Sequence, residues 1–135
     1  MNNTEEDLFP FFQEIKNTIA DKQVIIHLEG ELGSGKTFFA NQLLAFLHCL
    51  EIVKSPTYSI IEWYSLERAT VAHIDLYRIS SELELHPLGL DQVYQQCDLI
   101  LIEWASLWES YLPKPNHTLT FLFQNQIRQI ALMSW

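Results

Sequence analysis

The 135-residue chain is poor in several things, and each scarcity narrows what it can be. Basic residues are few: eight Lys and Arg stand against seventeen Asp and Glu, for a formal net charge of −9. A surface this acidic repels phosphodiester backbones, which makes nucleic acid a poor candidate for a direct, tightly held partner. There are two cysteines, Cys49 and Cys97, far apart and outside any Cys-x-x-Cys pair. They read as reduced core thiols of a cytosolic protein, not as a disulfide or a metal pair. No apolar run approaches the ~20 residues of a membrane span. The polar N-terminus has no signal-peptide pattern, so the expectation is a soluble, cytoplasmic protein with no membrane partner. Internal repeats, low-complexity tracts and linkers are also missing. The length suits one α/β domain over 1–135, and an apolar content of 48% with 13% aromatics excludes a disordered chain.

Glycine is scarce as well, with four in the chain, and three of them fall within one short stretch. That stretch, Gly30-Glu31-Leu32-Gly33-Ser34-Gly35-Lys36-Thr37, matches the Gly-x4-Gly-Lys-[Ser/Thr] phosphate-binding loop at every fixed position. Glycines let the backbone turn its N–H groups inward as a nest for phosphate oxygens. Lys36 can reach the β- and γ-phosphates as a point charge, and the Thr37 hydroxyl can ligate Mg²⁺. Before the loop, Val24 to Glu29 is apolar and β-branched, as a buried parallel strand should be. After it, Lys36 to His48 carries Phe39, Leu43, Leu44, Phe46 and Leu47 at helical spacing. Strand, glycine loop and helix in this order place an anion at the helix N-terminus, where the macrodipole and unpaired N–H groups favour it. The stretch reads as a nucleoside triphosphate site.

The rest of the chain frames this unit. Leu8, Phe12, Ile15 and Ile19 predict an N-terminal packing helix, with Asp7 a better cap candidate than Thr4 because Pro10 must lie in the first turn. Ser59 to Tyr64 and Val71 to Ile74 predict an antiparallel pair of strands. Short helices are expected after Ser80 or Ser81, stopped by Pro87 and Gly89, and over Leu90 to Gln96. Asp98 to Trp104 holds a four-residue aliphatic run ending in Glu103, and Thr118 to Phe123 with Ile127 to Met133 reads as a closing hairpin. The predicted fold is α/β: one P-loop NTPase domain, its central mixed sheet flanked by helices and carrying antiparallel strands.

Chemistry-bearing residues outside the loop are fewer. Thr37 with Glu103, an acid at the end of a buried strand, gives one hydroxyl and one carboxylate for a Mg²⁺ that keeps several waters. Asp75 lies two residues after His73, and strand periodicity puts both on one face. It could face the γ-phosphate and orient water, or simply hydrogen-bond His73. A zinc pair lacks further ligands at convincing spacing. Ser55-Pro56-Thr57 is either a turn or a loop that senses the γ-phosphate with its hydroxyls and N–H groups.

Taken together, Gly30 to Thr37, Ser55-Pro56-Thr57-Tyr58, His73-Ile74-Asp75-Leu76-Tyr77-Arg78 and Glu103-Trp104 resemble the TsaE (YjeE) family, ATPases of bacterial tRNA threonylcarbamoyladenosine synthesis. The resemblance covers nearly the whole chain, and its second and third motifs are more specific than the phosphate loop. It implies a small domain that binds ATP with Mg²⁺ and hydrolyses it slowly alone. It also implies a TsaB–TsaD complex as partner, with TsaD acting on the adenosine beside the anticodon and tRNA met only through that complex. By matching position, Gly33, Ser34, Gly35, Lys36 and Thr37 bind phosphate, and Thr37 and Glu103 hold Mg²⁺. Ser55 and Thr57 then belong to a switch-like loop touching the nucleotide, while Asp75 becomes a catalytic or metal-proximal carboxylate; Lys36, which can neutralise charge on the γ-phosphoryl group, is the other catalytic candidate. Many relatives run further past the last strand than Trp135.

Two other functions are consistent with a phosphate loop. A small-molecule kinase would need cationic groups to clamp the transferred phosphoryl, and the chain has only Arg68, Arg78 and Arg128. A non-catalytic or GTP-dependent switch would need a guanine-reading signal, and no Asn-Lys-x-Asp stretch occurs.

Overall fold

The computed structural model describes residues 2–3, 8–49 and 59–135. Seven strands form one sheet in the order β1-β7-β6-β2-β5-β4-β3. They are β1 (Asn2–Asn3), β2 (Val24–Glu29), β3 (Ile61–Ser65), β4 (Thr70–Asp75), β5 (Leu99–Glu103), β6 (His117–Gln124) and β7 (Ile127–Ser134). The four central strands, β6, β2, β5 and β4, run parallel, while β3, β7 and β1 are antiparallel to their neighbours. This is the mixed sheet that the sequence pattern predicts, including the β3–β4 pair and the closing hairpin.

Burial follows strand parity. Val24, Ile26 and Leu28 of β2, with Leu99 and Leu101 of β5, face a cluster built on helices α1 (Phe9–Ile19) and α2 (Lys36–Phe46). Ile25, Ala72, Ile74, Ile100 and Ile102 face the opposite side. There Leu85 of α3 (Glu82–Leu85) and Val93 of α4 (Leu90–Gln96) cover them. Both faces are therefore apolar, which is why the parallel strands read as continuous aliphatic runs with little alternation. Neither Cys49 nor Cys97 is in a disulfide, and burial pushes the Cys97 thiol up to about 11.

Boundaries shift where local chemistry overrides periodicity. Leu8 occupies the N-cap position of α1 without a side-chain cap, one residue later than the expected cap at Asp7, which lies outside the described residues. Pro10 sits in the first turn, where its missing N–H costs nothing. Helix α2 ends at Phe46, short of the expected His48, because His48 adopts a left-handed φ of 63°. Strand β3 begins at Ile61, two residues later than expected, and runs to Ser65. The Ser55-Pro56-Thr57 loop lies outside the described residues.

The β6–β7 hairpin closes on a two-residue loop, with Gln124 paired to Ile127 and both Asn125 (φ 52°) and Gln126 (φ 63°) left-handed. That is the geometry of a type I′ turn, where Asn followed by Gly is the favoured pair. Gln126 carries a Cβ into a region where it costs roughly 1 kcal/mol or more. Gln126→Gly is expected to stabilise the protein by about 1 kcal/mol, a rise of roughly 3–5 °C in a thermal melt for a chain of this size. An unchanged or lower Tm would show that the turn is not under this strain.

Candidate nucleotide-binding site

The parallel strands β2, β4 and β5 end at the same edge of the sheet, the edge where open α/β folds bind ligands. Chain order and parity decide what gathers there. Residues 24, 26 and 28 of β2 face α2, as do 71, 73 and 75 of β4 and 99, 101 and 103 of β5. Asp75 and Glu103 are direct register partners, so two carboxylates stand side by side at the strand ends. Beside them β2 runs out into the glycine loop, and α2 starts from Gly35.

The loop is shaped by backbone conformations that side chains disfavour. Gly30, Gly33 and Gly35 take φ values of 149°, 77° and 111°. Gly30 is also tightly enclosed: a Cβ there would lie 2.8 Å from the Phe121 carbonyl oxygen and 2.7 Å from Ser34 Oγ. Helix α2 has no side-chain cap and no acid in its first turn, so its leading N–H groups and dipole are left for an external anion. Ser34 Oγ is buried without a hydrogen-bond partner.

Lys36 is 4% exposed, and its Nζ donates to the Gly30 carbonyl. Nζ also lies 4.1 Å from the centre of the Trp104 ring. Burial lowers its pKa, while Glu103, Asp75 and Glu29 pull it back up. Trp104 follows β5 in a left-handed conformation (φ 61°), and its ring meets Tyr77 at 5.0 Å between centroids. The Glu29 carboxylate accepts from Ser106 N–H at 3.0 Å, and burial is the larger influence, raising its pKa.

His73 pairs not with Asp75 but with Glu103: His73 Nε2 and Glu103 Oε2 are 2.6 Å apart, and the His73 side chain is fully buried. The reading of Asp75 as a hydrogen-bond partner of His73 is therefore corrected. Strand geometry explains the choice, because neighbouring parallel strands bring His73 and Glu103 onto one face while Asp75 sits beyond His73 toward the opening. Asp75 Oδ1 instead accepts from Tyr77 N–H at 3.0 Å. Burial, the dominant influence, and the nearby Glu103 raise its pKa.

A cavity of about 440 Å³ joins these groups, lined by Gly33, Gly35, Lys36, Thr37, Asp75 and Glu103 among others. The structure thus brings together Gly33, Gly35, Lys36, Thr37, Asp75 and Glu103, with Ser34 buried beneath the loop, while Ser55 and Thr57 lie outside the described residues. Arg78 and Arg128 also line the cavity. Sequence spacing gave no hint of Arg128, which arrives from a strand some ninety positions away. Among the described residues no three His, Cys, Asp or Glu side chains converge as a metal cage. The donors at hand are oxygens of Thr37, Asp75 and Glu103, a set that suits a hard cation sharing its coordination with phosphate and water.

Two outcomes follow from this geometry. An acid with a raised folded pKa weakens the fold when ionised; the penalty is complete above the folded pKa and absent below the unfolded one, about 3.9. Asp75→Asn should therefore raise the Tm of the nucleotide-free protein at pH 7, and the gain should shrink as pH falls toward 4 in a series of thermal melts. His73→Ala would leave the buried Glu103 carboxylate without its partner and should cost about 3 kcal/mol in urea denaturation.

Comparison with known proteins agrees with the fold. A family model described as "Threonylcarbamoyl adenosine biosynthesis protein TsaE" matches residues 2–130. The tRNA threonylcarbamoyladenosine biosynthesis protein TsaE of Rickettsia bellii is 34% identical over 115 residues, covering 84% of this chain and 78% of that protein. The protein of the same name from Haemophilus influenzae is 30% identical over 114 residues, covering 84% and 72%. Among solved structures, Bacillus subtilis YdiB superposes with a TM-score of 0.71 at 26% identity, covering 99% of this chain and 83% of that one. No helix among the described residues is long and apolar enough to cross a membrane. With its P-loop-type α/β fold and a match over nearly its full length, the chain belongs to the TsaE family of tRNA threonylcarbamoyladenosine biosynthesis.

Proposed function

We propose that this protein binds Mg-ATP and hydrolyses it slowly by itself, as the nucleotide-driven component of a TsaB–TsaD assembly that modifies tRNA in the cytoplasm. The observation that carries the reading is the single cavity in which the uncapped start of α2 and Lys36 meet Asp75 and Glu103. An anion is favoured at one wall and a hard cation at the other, which is the charge pattern of a metal-bound triphosphate.

In this reading the N–H groups of Gly33 to Thr37 cradle the phosphates, and Ser34 Oγ, buried and without a partner, supplies a further donor. Lys36 leaves the Gly30 carbonyl and the Trp104 face to neutralise charge building on the γ-phosphoryl oxygens. Thr37 and Glu103 would hold Mg²⁺, which when bound draws charge from the β- and γ-phosphoryl oxygens. His73 fixes the Glu103 carboxylate by one oxygen and leaves the other for the cation or its water. Asp75, at the mouth of the strands, orients the attacking water. Ser55 and Thr57, outside the described residues, are assigned by the family resemblance to contact with the nucleotide. Tyr77, whose ring packs on Trp104, lines the site at its rim.

The net charge of −9 supports an indirect relation to tRNA, with the other subunits gripping the polyanion while this one supplies the nucleotide step. The test is phosphate release from Mg-ATP by this protein alone and with a purified TsaB–TsaD pair. Release that rises with the pair, and falls roughly 10²–10³-fold in Lys36→Ala, is the expected result. Intact ATP binding with no release at any partner concentration would replace hydrolysis by a passive nucleotide-dependent switch, and near-normal hydrolysis by Lys36→Ala would refute the site.

A further inference from the structure

Arg128 belongs to the last strand, far in sequence from the phosphate loop, yet it borders the same cavity as Lys36 and Thr37. The sheet explains how. Strand β6 runs parallel to β2 and pairs with it up to Thr120 and Glu29, so residues 121–124 continue past the end of β2 alongside the loop. Backbone meets backbone there, at Phe121 and Gly30. One step further out, Phe123 of β6 is paired with Arg128 of β7.

Three observations define what Arg128 does in that place. A Cβ built on Gly35 would come within 3.9 Å of Arg128 Cδ and 4.0 Å of its Nη1, so the guanidinium stands beside the residue that opens α2. Its carbon Cζ lies 5.6 Å from the centre of the Phe123 ring, which supports the group against the hairpin. Among the described residues no carboxylate lies within ion-pair distance of it, in a chain where acids outnumber bases two to one. A cation carried to the rim of an anion-binding loop and given no acid is a cation held for a ligand. A planar guanidinium grips phosphate oxygens by two parallel hydrogen bonds, which an ammonium cannot do.

We propose that Arg128 is a ligand of the bound nucleotide's polyphosphate, contributed in cis by the β6–β7 hairpin. The proposal rests on the nucleotide reading of the cavity and adds a second cation to Lys36. It also gives the hairpin a task, since the strands carry Arg128 past the sheet edge on a rigid two-stranded arm.

The experiment titrates a fluorescent N-methylanthraniloyl-ATP with Mg²⁺ onto wild type, Arg128→Gln, Arg128→Lys and Lys36→Ala, with inorganic tripolyphosphate as competitor. Arg128→Gln should weaken ATP binding by about tenfold or more, with Arg128→Lys recovering part of the loss. Tripolyphosphate should compete about tenfold less well against the glutamine variant, and the Tm without nucleotide should be unchanged because the side chain is exposed. If Arg128→Gln binds ATP within twofold of wild type while Lys36→Ala loses it, the role of Arg128 is refuted and the nucleotide site stands. If ATP weakens but tripolyphosphate competes as before, Arg128 touches the nucleoside and the assignment to polyphosphate falls. If wild type itself fails to bind, the nucleotide reading falls and this inference with it.

Discussion

A buried ammonium without an anion is the constraint on which this site is built. Lys36 has lost most of its water, and its fold-imposed substitutes are a carbonyl, an indole face and three carboxylates at longer range. Each substitute depends on a different element: Gly30 on the exit of β2, Trp104 and Glu103 on the end of β5, Asp75 on the end of β4. The parallel register of β2, β5 and β4 is therefore an electrostatic arrangement as much as a packing one. Desolvation destabilises charges of both signs here, raising Asp75 and Glu29 and lowering Lys36. The opposed shifts at one strand edge share one cause, the burial of charged groups of both signs.

The sequence made the fold legible wherever one pattern ruled. Val24 to Glu29, the glycine loop and the helix after it stand as expected, as does the antiparallel β3–β4 pair, because continuous aliphatic runs and glycine spacing leave few alternatives. Element ends were less legible. His48 ends α2 with a left-handed residue, a choice set by where the chain must go next and not by helical periodicity. Within the site, strand parity correctly put His73 and Asp75 on one face, but parity says nothing about which neighbour a side chain will reach across the sheet. The His73–Glu103 pair is a diagonal cross-strand contact, thirty residues apart and one step off the Asp75–Glu103 register pair. Arg128 escaped for the same reason: nothing local in the hairpin records that β6 will lie beside β2 and overrun its end.

Membership of the TsaE family and the acidic surface combine in a way neither suggests separately. A protein of tRNA modification would ordinarily present basic patches to its substrate. This chain concentrates cations at one cavity instead, with Lys36, Arg78 and Arg128 around a loop shaped for anions. A small polyphosphate anion would meet three cations in a cavity of about 440 Å³, while the chain as a whole carries a net charge of −9.

The position of β2 in the sheet has a consequence for how the protein is made. The two partners of this strand, β5 and β6, both come much later in the chain, from Leu99 and His117 onward. Every hydrogen bond that anchors the phosphate loop to the sheet thus spans seventy residues or more, a loop closure that is entropically costly until both partners exist. A nascent chain containing the complete glycine motif has no sheet for it to stand on. The footing of the phosphate loop is complete only when the segments carrying β5 and β6 have paired with β2 on either side.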